Sequence, residues 1–339
     1  MKPLSVVLGL GVAVTLVAAT AGAVYLGNQL EPAQPHSTQP IAFTVEDGSG
    51  LRQIADALEA AGIIRNADVA VLVARLRGWG SSLKAGEYDL SAGQPAEEVL
   101  LVLISGRVRT YTAVLPEGIR ASEIATRLAE LGLADRETFL HVIGDPEFAR
   151  SLGVPADSLE GYLYPETYQI PSDLSAAEVA RILVEQFNDA WSDIEPGARD
   201  LELSKHQIVI LASIVEKETA APEERRLIAA VFLNRLKKGM RLETDPTVIY
   251  GIPDFDGNLR KRDLQDKSNP YNTYQIAGLP PGPIASPGSD ALRAVVKPAE
   301  TEYLYFVSRN DGTHEFSRTY REHVNAVNRY QRRGRRSSE

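Results

Sequence analysis

The sequence predicts an α+β protein with an N-terminal transmembrane helix, duplicated α/β units and a mixed α+β domain at the C-terminal end. Three observations lead to this prediction. An uncharged apolar run follows Lys2, a strand and helix pattern recurs with an offset of 70 residues between Ile54 and Ile124, and apolar helices give way to loops rich in proline and glycine after Gly239. A chain of 339 residues is long for one hydrophobic core, so more than one domain is expected.

Composition narrows the chemistry that the protein can perform. Hydrophobic residues make up 44% and charged residues 24% of the chain, which is typical of globular proteins. The net charge of -9 argues against nucleic acid as a partner, because nucleic-acid-binding domains are basic. The chain has no cysteine and five scattered histidines, which excludes thiolate chemistry and disfavours a metal site. Catalysis is therefore expected to rest on carboxylates, hydroxyls, amides or lysines, without a cofactor or metal.

Residues 1–30 are predicted to form a short cytoplasmic N-terminus and a membrane-spanning helix. No charged residue occurs between Lys2 and Glu31, and a span needs about 20 apolar residues. The positive charge of Lys2 predicts a cytoplasmic N-terminus, so the rest of the chain would lie outside the inner membrane. The alternative is a cleaved signal peptide, because residues 20–23 are small, but the apolar run continues beyond them. Residues 31–40, with three prolines, are predicted to be a linker.

Residues 41–190 contain two copies of one unit, predicted at 41–106 and 110–190. Each copy begins with a short apolar strand and a helix that ends at Gly62 or Gly132, followed by a second helix, a strand and a further helix. This strand and helix order in an exported protein resembles the LysM class of peptidoglycan-binding modules. The alternative is a duplicated scaffold that binds nothing, since no aromatic cluster marks a surface for stacking sugars.

Residues 191–330 are predicted to form the catalytic domain. Ser204 can cap a helix that is apolar almost without interruption from 208 to 215 and then carries Glu216 and Glu218. An unpaired buried charge is costly, so at least one of these carboxylates needs compensation. The helical wheel favours neither glutamate.

A second amphipathic helix follows and is predicted to end at Gly239. Its basic residues are predicted to face mostly outward: Arg225, Arg226, Lys237 and Lys238. At the end of the chain, residues 331–339 form a predicted basic tail.

The loops after the second helix are dense in polar groups, and such loops often carry functional sites. Asp245 stands before a proline, and four polar or aromatic residues follow one another further on: Tyr271, Asn272, Thr273 and Tyr274. These five residues are candidates for binding substrate, although each could instead organise its own turn. The segment YLYFVSRNDGTHEFS predicts a β-hairpin that supports the fold rather than the chemistry. His206 and His314 are interpreted as ordinary polar residues.

Six motifs occur in a fixed order along this part of the chain: ASIVEKET, VFLNRL, LETDPTVIYG, YNTY, GLPPGPI and YLYFV. In this order and spacing they closely resemble the YceG-like endolytic murein transglycosylases. The resemblance implies a lyase that cleaves peptidoglycan glycan strands between N-acetylmuramic acid and N-acetylglucosamine without water, leaving 1,6-anhydro ends. It also implies that Glu216, the first glutamate of EKE, is the catalytic acid and base. Cleavage of nascent strands would end their elongation, with peptidoglycan synthases as expected partners.

The chemistry of glycoside cleavage agrees with a glutamate on an apolar helix. The leaving oxygen needs a carboxylic acid that is still protonated near neutral pH, and an apolar environment raises a glutamate pKa towards such values. The alternative for Glu216 is a structural ion pair with Lys217 or with an arginine of the next helix, and Glu218 is predicted to be a structural partner. Glu166 is the main competing carboxylate. Two other functions remain open, a glycan-binding scaffold of the cell-wall synthesis machinery and a muramidase that uses water.

Overall fold

The computed structural model describes residues 3–199, 201–219 and 221–332, and its side chains are described from residue 15 to 331. The chain divides into two compact units. The first comprises residues 1–111 and 171–173, and the second comprises residues 112–170 and 174–339. The fold is mixed α+β, and the strands of the described residues form three two-stranded sheets.

The first unit contains four helices and two strands within the described residues. Their bounds are α1 Pro3–Leu30, β1 Ile41–Val45, α2 Leu51–Ala60, α3 Ala67–Leu76, β2 Gly86–Leu90 and α4 Ala96–Ser105. Strands β1 and β2 are antiparallel, with Phe43 opposite Tyr88. Alternate residues of both strands point inward, where they pack with Leu58 of α2 and Leu100 of α4. This alternation gives the small sheet one buried face.

The remaining elements belong to the second unit, except for Thr110, Tyr111 and Pro171 at the ends of two of its strands. They are β3 Thr110–Val114, α5 Ala121–Glu130, α6 Arg136–Ile143, α7 Pro146–Ser151, β4 Thr167–Pro171, α8 Ala176–Ser192, α9 Glu195–Ala198, α10 Lys205–Glu218, α11 Arg225–Lys237, α12 Asp245–Tyr250, α13 Lys261–Gln265, α14 Ser289–Val296, β5 Tyr305–Ser308, β6 His314–Ser317 and α15 Tyr320–Val327. A 3-10 turn, Pro222–Glu224, precedes α11, and a π-helical turn, Asn328–Arg332, follows α15. Strand β3 pairs with β4, and β5 pairs with β6.

The two predicted copies share one order of elements. Both run strand, helix, helix, strand, helix, and the second copy adds the short helix α7. Gly62 and Gly132 lie just beyond the first helix of each copy with φ of 68° and 71°, the left-handed conformation that ends a helix. The second copy lies in the same compact unit as α10, so the predicted domain boundary at residue 190 falls inside that unit. The LysM-like identity of the copies stays a prediction.

Helix α10 is the buried element around which the second unit is packed. Its residues from Ile208 to Val215 are all buried, and it contacts α11, α12 and α14. Ser204 caps the helix as predicted, because its hydroxyl accepts the backbone N–H of Gln207 at 3.2 Å. The cap matters here because this helix carries both glutamates of the EKE motif.

Within the described part of the chain, no helix combines the length and apolarity that a membrane span requires. The side chains of residues 3–14, which make up much of the predicted span, lie outside the described residues. Residues 333–339 of the predicted basic tail also lie outside them.

Removal of the cap of α10 tests its role in stability. We expect Ser204→Ala to lower the free energy of unfolding by about 1 kcal/mol, because the first helical turn loses a side-chain acceptor. Ser204→Asp, which can accept the same bond, is the matched control. Thermal unfolding followed by circular dichroism measures both, and an unchanged melting temperature for Ser204→Ala would contradict the prediction.

Candidate active site

The last turn of α10 carries two carboxylates, Glu216 and Glu218, which have different hydrogen-bond partners. Glu216 Oε1 accepts a hydrogen bond from Arg225 Nη2 at 3.1 Å, and its Oε2 accepts the backbone N–H of Gly288 at 3.0 Å. The Glu216 side chain is 5% exposed. Both of its oxygens are therefore occupied, and its charge is paired with a buried guanidinium.

Arg225 is the centre of a small carboxylate cluster. Glu117 Oε2 and Asp290 Oδ2 each lie 3.6 Å from its guanidinium nitrogens, in addition to Glu216. Burial and the neighbouring charge of Glu216 raise the pKa of Glu117. Arg225 was predicted to face outward with its basic neighbours, and this is wrong, because the residue is only 9% exposed. Its charge is needed inside the protein to balance these carboxylates.

A loop of the second copy packs directly against this turn of α10. Lys217 Nζ donates to the carbonyl of Gly118 at 3.1 Å, and the backbones of Gly118 and Ser286 are joined at 2.9 Å. A Cβ at Gly288 would lie 1.8 Å from Glu117 Oε1, so a side chain there would displace the Glu117 carboxylate. The loop from the second copy thus helps to hold Glu216 in place.

Glu218 has no cationic partner within ion-pair distance among the described residues. Thr244 Oγ1 donates a hydrogen bond to its Oε1. Burial, reinforced by the negative charge of Asp245, raises the pKa of Glu218 to about 7, although the Thr244 bond and the charges of His314 and Arg235 oppose the rise. This carboxyl is therefore protonated in a substantial fraction of molecules at neutral pH.

Glu218 also opens onto a cavity of about 370 Å³. Its polar lining includes Glu218, Arg235, Glu243, Asp245, Tyr274 and His314. A larger cavity of about 720 Å³ lies beside β3 and α5, but its lining contains neither glutamate of the EKE motif. We centre the candidate site on the smaller cavity because it holds a carboxylic acid that can deliver a proton near neutral pH.

The cavity walls are held by Arg235 of α11. Its Nε donates to the carbonyl of Leu304 at 2.7 Å, and its Nη1 donates to the carbonyl of Leu242 at 2.9 Å and to Glu243 Oε2 at 3.2 Å. One guanidinium therefore joins α11, the loop before α12 and the segment that leads into β5. Glu243 has a φ of 52°, unusual for a residue with a side chain.

The structure brings two of the five predicted substrate-binding residues to this cavity. Asp245 and Tyr274 both line it, and the Tyr274 hydroxyl donates to Asp245 Oδ1 at 2.7 Å. Asn272 and Thr273 are fully buried. Their polar atoms bond to loop carbonyls and to the backbone N–H of Thr244, so they brace the loop.

Tyr271 and Glu166 lie elsewhere. Tyr271 packs against the Tyr250 ring at 4.7 Å and lines a separate cavity that also contains His206. Glu166 is exposed, and its carboxylate accepts the backbone N–H of Thr167 at 3.0 Å. Neither residue lines the cavity of Glu218.

Sequence reasoning overlooked His314 as a residue of the site. The β5–β6 hairpin forms as predicted, but it also contributes to the cavity, because His314 of β6 lines it. His314 Nδ1 lies 2.6 Å from Glu224 Oε2, and its backbone N–H donates to Glu224 Oε1 at 2.8 Å. His314 lies in the predicted hairpin, but no local signal connected it with a glutamate 90 residues earlier.

Comparisons with known proteins agree with the motif pattern. The profile of the YceG-like family matches residues 43–329. A Bacillus subtilis protein named endolytic murein transglycosylase is 30% identical over 89% of this chain and 88% of its own length, and one from Streptococcus pneumoniae is 28% identical over 89% of this chain and 62% of its own length. The crystal structure of a yceG-like protein from Listeria monocytogenes superposes with a TM-score of 0.58 at 31% identity, covering 85% of this chain and 99% of that one. The chain therefore belongs to the YceG-like family.

Proposed function

We propose that this protein is an endolytic murein transglycosylase that uses Glu218 as its catalytic acid and base. The observation that carries the proposal is the Glu218 carboxyl, whose pKa burial raises to about 7 at the edge of an open cavity. The names of the relatives from B. subtilis and S. pneumoniae support the reaction class. The substrate would be the peptidoglycan glycan strand.

The proposed reaction needs one carboxyl group. The protonated Glu218 donates its proton to the glycosidic oxygen as the bond from N-acetylmuramic acid C1 to the N-acetylglucosamine oxygen breaks. The carboxylate then accepts the proton of the muramic acid C6 hydroxyl, and this oxygen forms a bond to C1. The product has a 1,6-anhydro end, and Glu218 regains its proton. Because the attacking hydroxyl belongs to the same sugar, the ring closure has the advantage of an intramolecular reaction.

Glu218 suits this role better than Glu216, the residue that the motif resemblance implies. Both Glu216 oxygens accept hydrogen bonds, one of them from a buried guanidinium, so this carboxyl would have to leave its ion pair to donate a proton. Among the residues that the structure describes, only the Thr244 hydroxyl donates a hydrogen bond to the Glu218 carboxyl, which lines the cavity. The catalytic role of Glu216 stays a prediction, and activity measurements on both variants decide between the two residues.

A muramidase that uses water is the second candidate function, and Asp245 is the observation that favours it. A hydrolase with two carboxylates needs a second carboxylate at a defined distance from the acid. Asp245 lines the same cavity as Glu218, although Tyr274 already donates to it. The two reactions give different products, since hydrolysis leaves reducing ends. A glycan-binding scaffold would give neither product.

The proposal also covers where in the cell the enzyme acts. The absence of charge between Lys2 and Glu31, together with the helical backbone of α1, supports an N-terminal anchor in the inner membrane with the catalytic region outside the cytoplasm. There the enzyme would end the elongation of nascent strands beside peptidoglycan synthases. A carbonate wash of membranes that releases the full chain would contradict the anchor.

We expect Glu218→Gln to abolish cleavage while the protein stays folded. The amide keeps the size of the side chain and an oxygen that can accept the Thr244 bond, but it cannot donate a proton to the leaving group. General acid–base catalysis typically contributes about 10²- to 10⁴-fold, and a reaction with one carboxyl has no substitute for it, so the loss should reach the upper part of that range. Release of anhydro-ended muropeptides from purified peptidoglycan measures the effect.

Glu216→Gln is the matched control for this experiment. It leaves Arg225 without its closest carboxylate, so we expect a lower melting temperature and an activity that falls only as far as the folded fraction falls. If Glu218→Gln kept near-normal turnover, or if Glu216→Gln were inactive while fully folded, the assignment of Glu218 would be wrong.

The raised pKa of Glu218 also predicts a pH dependence of stability. In the folded protein this carboxyl keeps its proton up to about pH 7, whereas in the unfolded chain it ionises near its ordinary value of 4.5. The folded state therefore binds more protons between these values, and its stability falls as the pH rises through this window, by about 1.4 kcal/mol per unit. We expect Glu218→Gln to lack this fall and to gain on the order of 3 kcal/mol relative to the natural protein by pH 8. Urea unfolding of both proteins at pH 4.5, 6 and 8 measures the difference, and parallel curves would contradict the prediction.

A further inference from the structure

The β5–β6 hairpin places His314 in the lining of the Glu218 cavity. The proposed reaction assigns no role to this histidine or to its contact with Glu224. His314 and Glu224 are both largely buried, with side chains 13% and 9% exposed. Glu224 lies in the 3-10 turn between α10 and α11. Its Oε1 accepts the backbone N–H of His314, and its Oε2 faces the ring Nδ1 of the same residue. The contact therefore joins the hairpin to the segment that directly follows the EKE motif.

The Glu224 contact determines which ring nitrogen of His314 is available. A buried carboxylate can only accept hydrogen bonds, so Nδ1 must carry a hydrogen and donate it. Nε2 lies on the opposite side of the ring. Within the described residues it has no hydrogen-bond partner, and it is not among the polar atoms that are sealed from solvent. The nitrogen that remains is thus reachable from the cavity that His314 lines.

The aromatic neighbours of His314 hold the plane of its ring. Phe306 of the paired strand meets the imidazole edge to face at a centroid distance of 5.4 Å, and Phe316, two residues further along the strand of His314, lies at 6.4 Å. The ring is therefore fixed by a bond at one nitrogen and by apolar packing around it. A side chain that is already held in one orientation loses little conformational entropy when it binds a ligand.

We propose that His314 is a substrate-contacting residue of the Glu218 cavity, binding the glycan through Nε2, and that Glu224 is the positioning residue that orients it. The inference rests on the proposed function and names one further contact of the same site. With Nδ1 committed to Glu224, Nε2 is the ring nitrogen left to form a hydrogen bond with a sugar hydroxyl or with an acetamido group. Both groups occur on the sugars of a glycan strand, so the chemistry of the nitrogen matches the proposed substrate.

Two amide variants of His314 test the roles of its two ring nitrogens separately. The amide of asparagine lies where Nδ1 lies in histidine, and the amide of glutamine reaches the place of Nε2. His314→Asn therefore keeps a donor for Glu224 and loses the cavity contact, whereas His314→Gln keeps a polar group in the cavity and loses the bond to Glu224. Exposed His141 on α6 supplies the control variant His141→Asn.

We expect His314→Asn of the full chain to keep its melting temperature while KM for purified glycan strands without stem peptides rises about tenfold, the effect of one lost hydrogen bond. His314→Gln should show the reverse, a lower melting temperature with a smaller change in KM. His141→Asn should change neither. If His314→Asn bound and cleaved glycan normally, or if KM followed the melting temperature in both variants, His314 would be structural and the proposal would fail.

A binding measurement keeps this inference separate from the proposed reaction. Addition of the same glycan strands to the Glu218→Gln chain should shift the Nε2 resonance of His314 in a ¹⁵N spectrum and leave that of His141 unchanged. An unshifted His314 signal at saturating glycan overturns the contact. Full cleavage activity of Glu218→Gln would instead overturn the proposed acid, whatever the histidine signal shows.

Discussion

Two carboxylates at the end of one buried helix set the constraint on which the rest of the site depends. Helix α10 is buried and almost entirely apolar from Ile208 to Val215, so neither Glu216 nor Glu218 can remain charged beside it without compensation. The structure meets the cost in two ways. Glu216 is paired with the buried guanidinium of Arg225, and Glu218 holds its proton to about pH 7. The proton that makes Glu218 tolerable inside the protein is also the proton that the proposed reaction needs.

The junction of the 3-10 turn and α11 provides partners on both sides. Arg225 turns towards Glu216, while the preceding residue, Glu224, turns towards His314 of the hairpin. Two adjacent residues, Glu224 and Arg225, thus contact the candidate site through His314 and the ion-paired carboxylate of Glu216, respectively. The loop around Gly118 closes the structural side, through Lys217 and the backbone of Ser286. This explains physically why the second copy of the repeat belongs to the same compact unit as the EKE motif.

Glu160 shows that a raised pKa alone does not mark the site. Burial raises its pKa to about 7, as it does for Glu218. Its carboxylate, however, accepts the backbone N–H of Ala121 at the start of α5 and the Tyr250 hydroxyl, both at 3.1 Å. These bonds join α5 to α12. The difference between Glu160 and Glu218 lies in the cavity, which Glu218 lines together with Asp245, Tyr274 and His314.

The sequence by itself determined the elements of the fold and the candidate motif, because these depend on local rules. Ser204 caps α10, the glycines at 62 and 132 end their helices, the copies share one order of elements, and the hairpin forms, since capping, periodicity and turn chemistry act over a few residues.

Only the tertiary structure distinguished Glu216 from Glu218, which lie two residues apart on the same apolar helix. The partners that separate them come from distant parts of the chain: Gly288 is 72 residues from Glu216, and Thr244 is 26 residues from Glu218. In the same way, only the tertiary structure showed that Asn272 and Thr273 are fully buried and that His314 of the hairpin lines the cavity. A carboxyl takes its protonation from the charges and dipoles that surround it in space, and a helical wheel contains none of them.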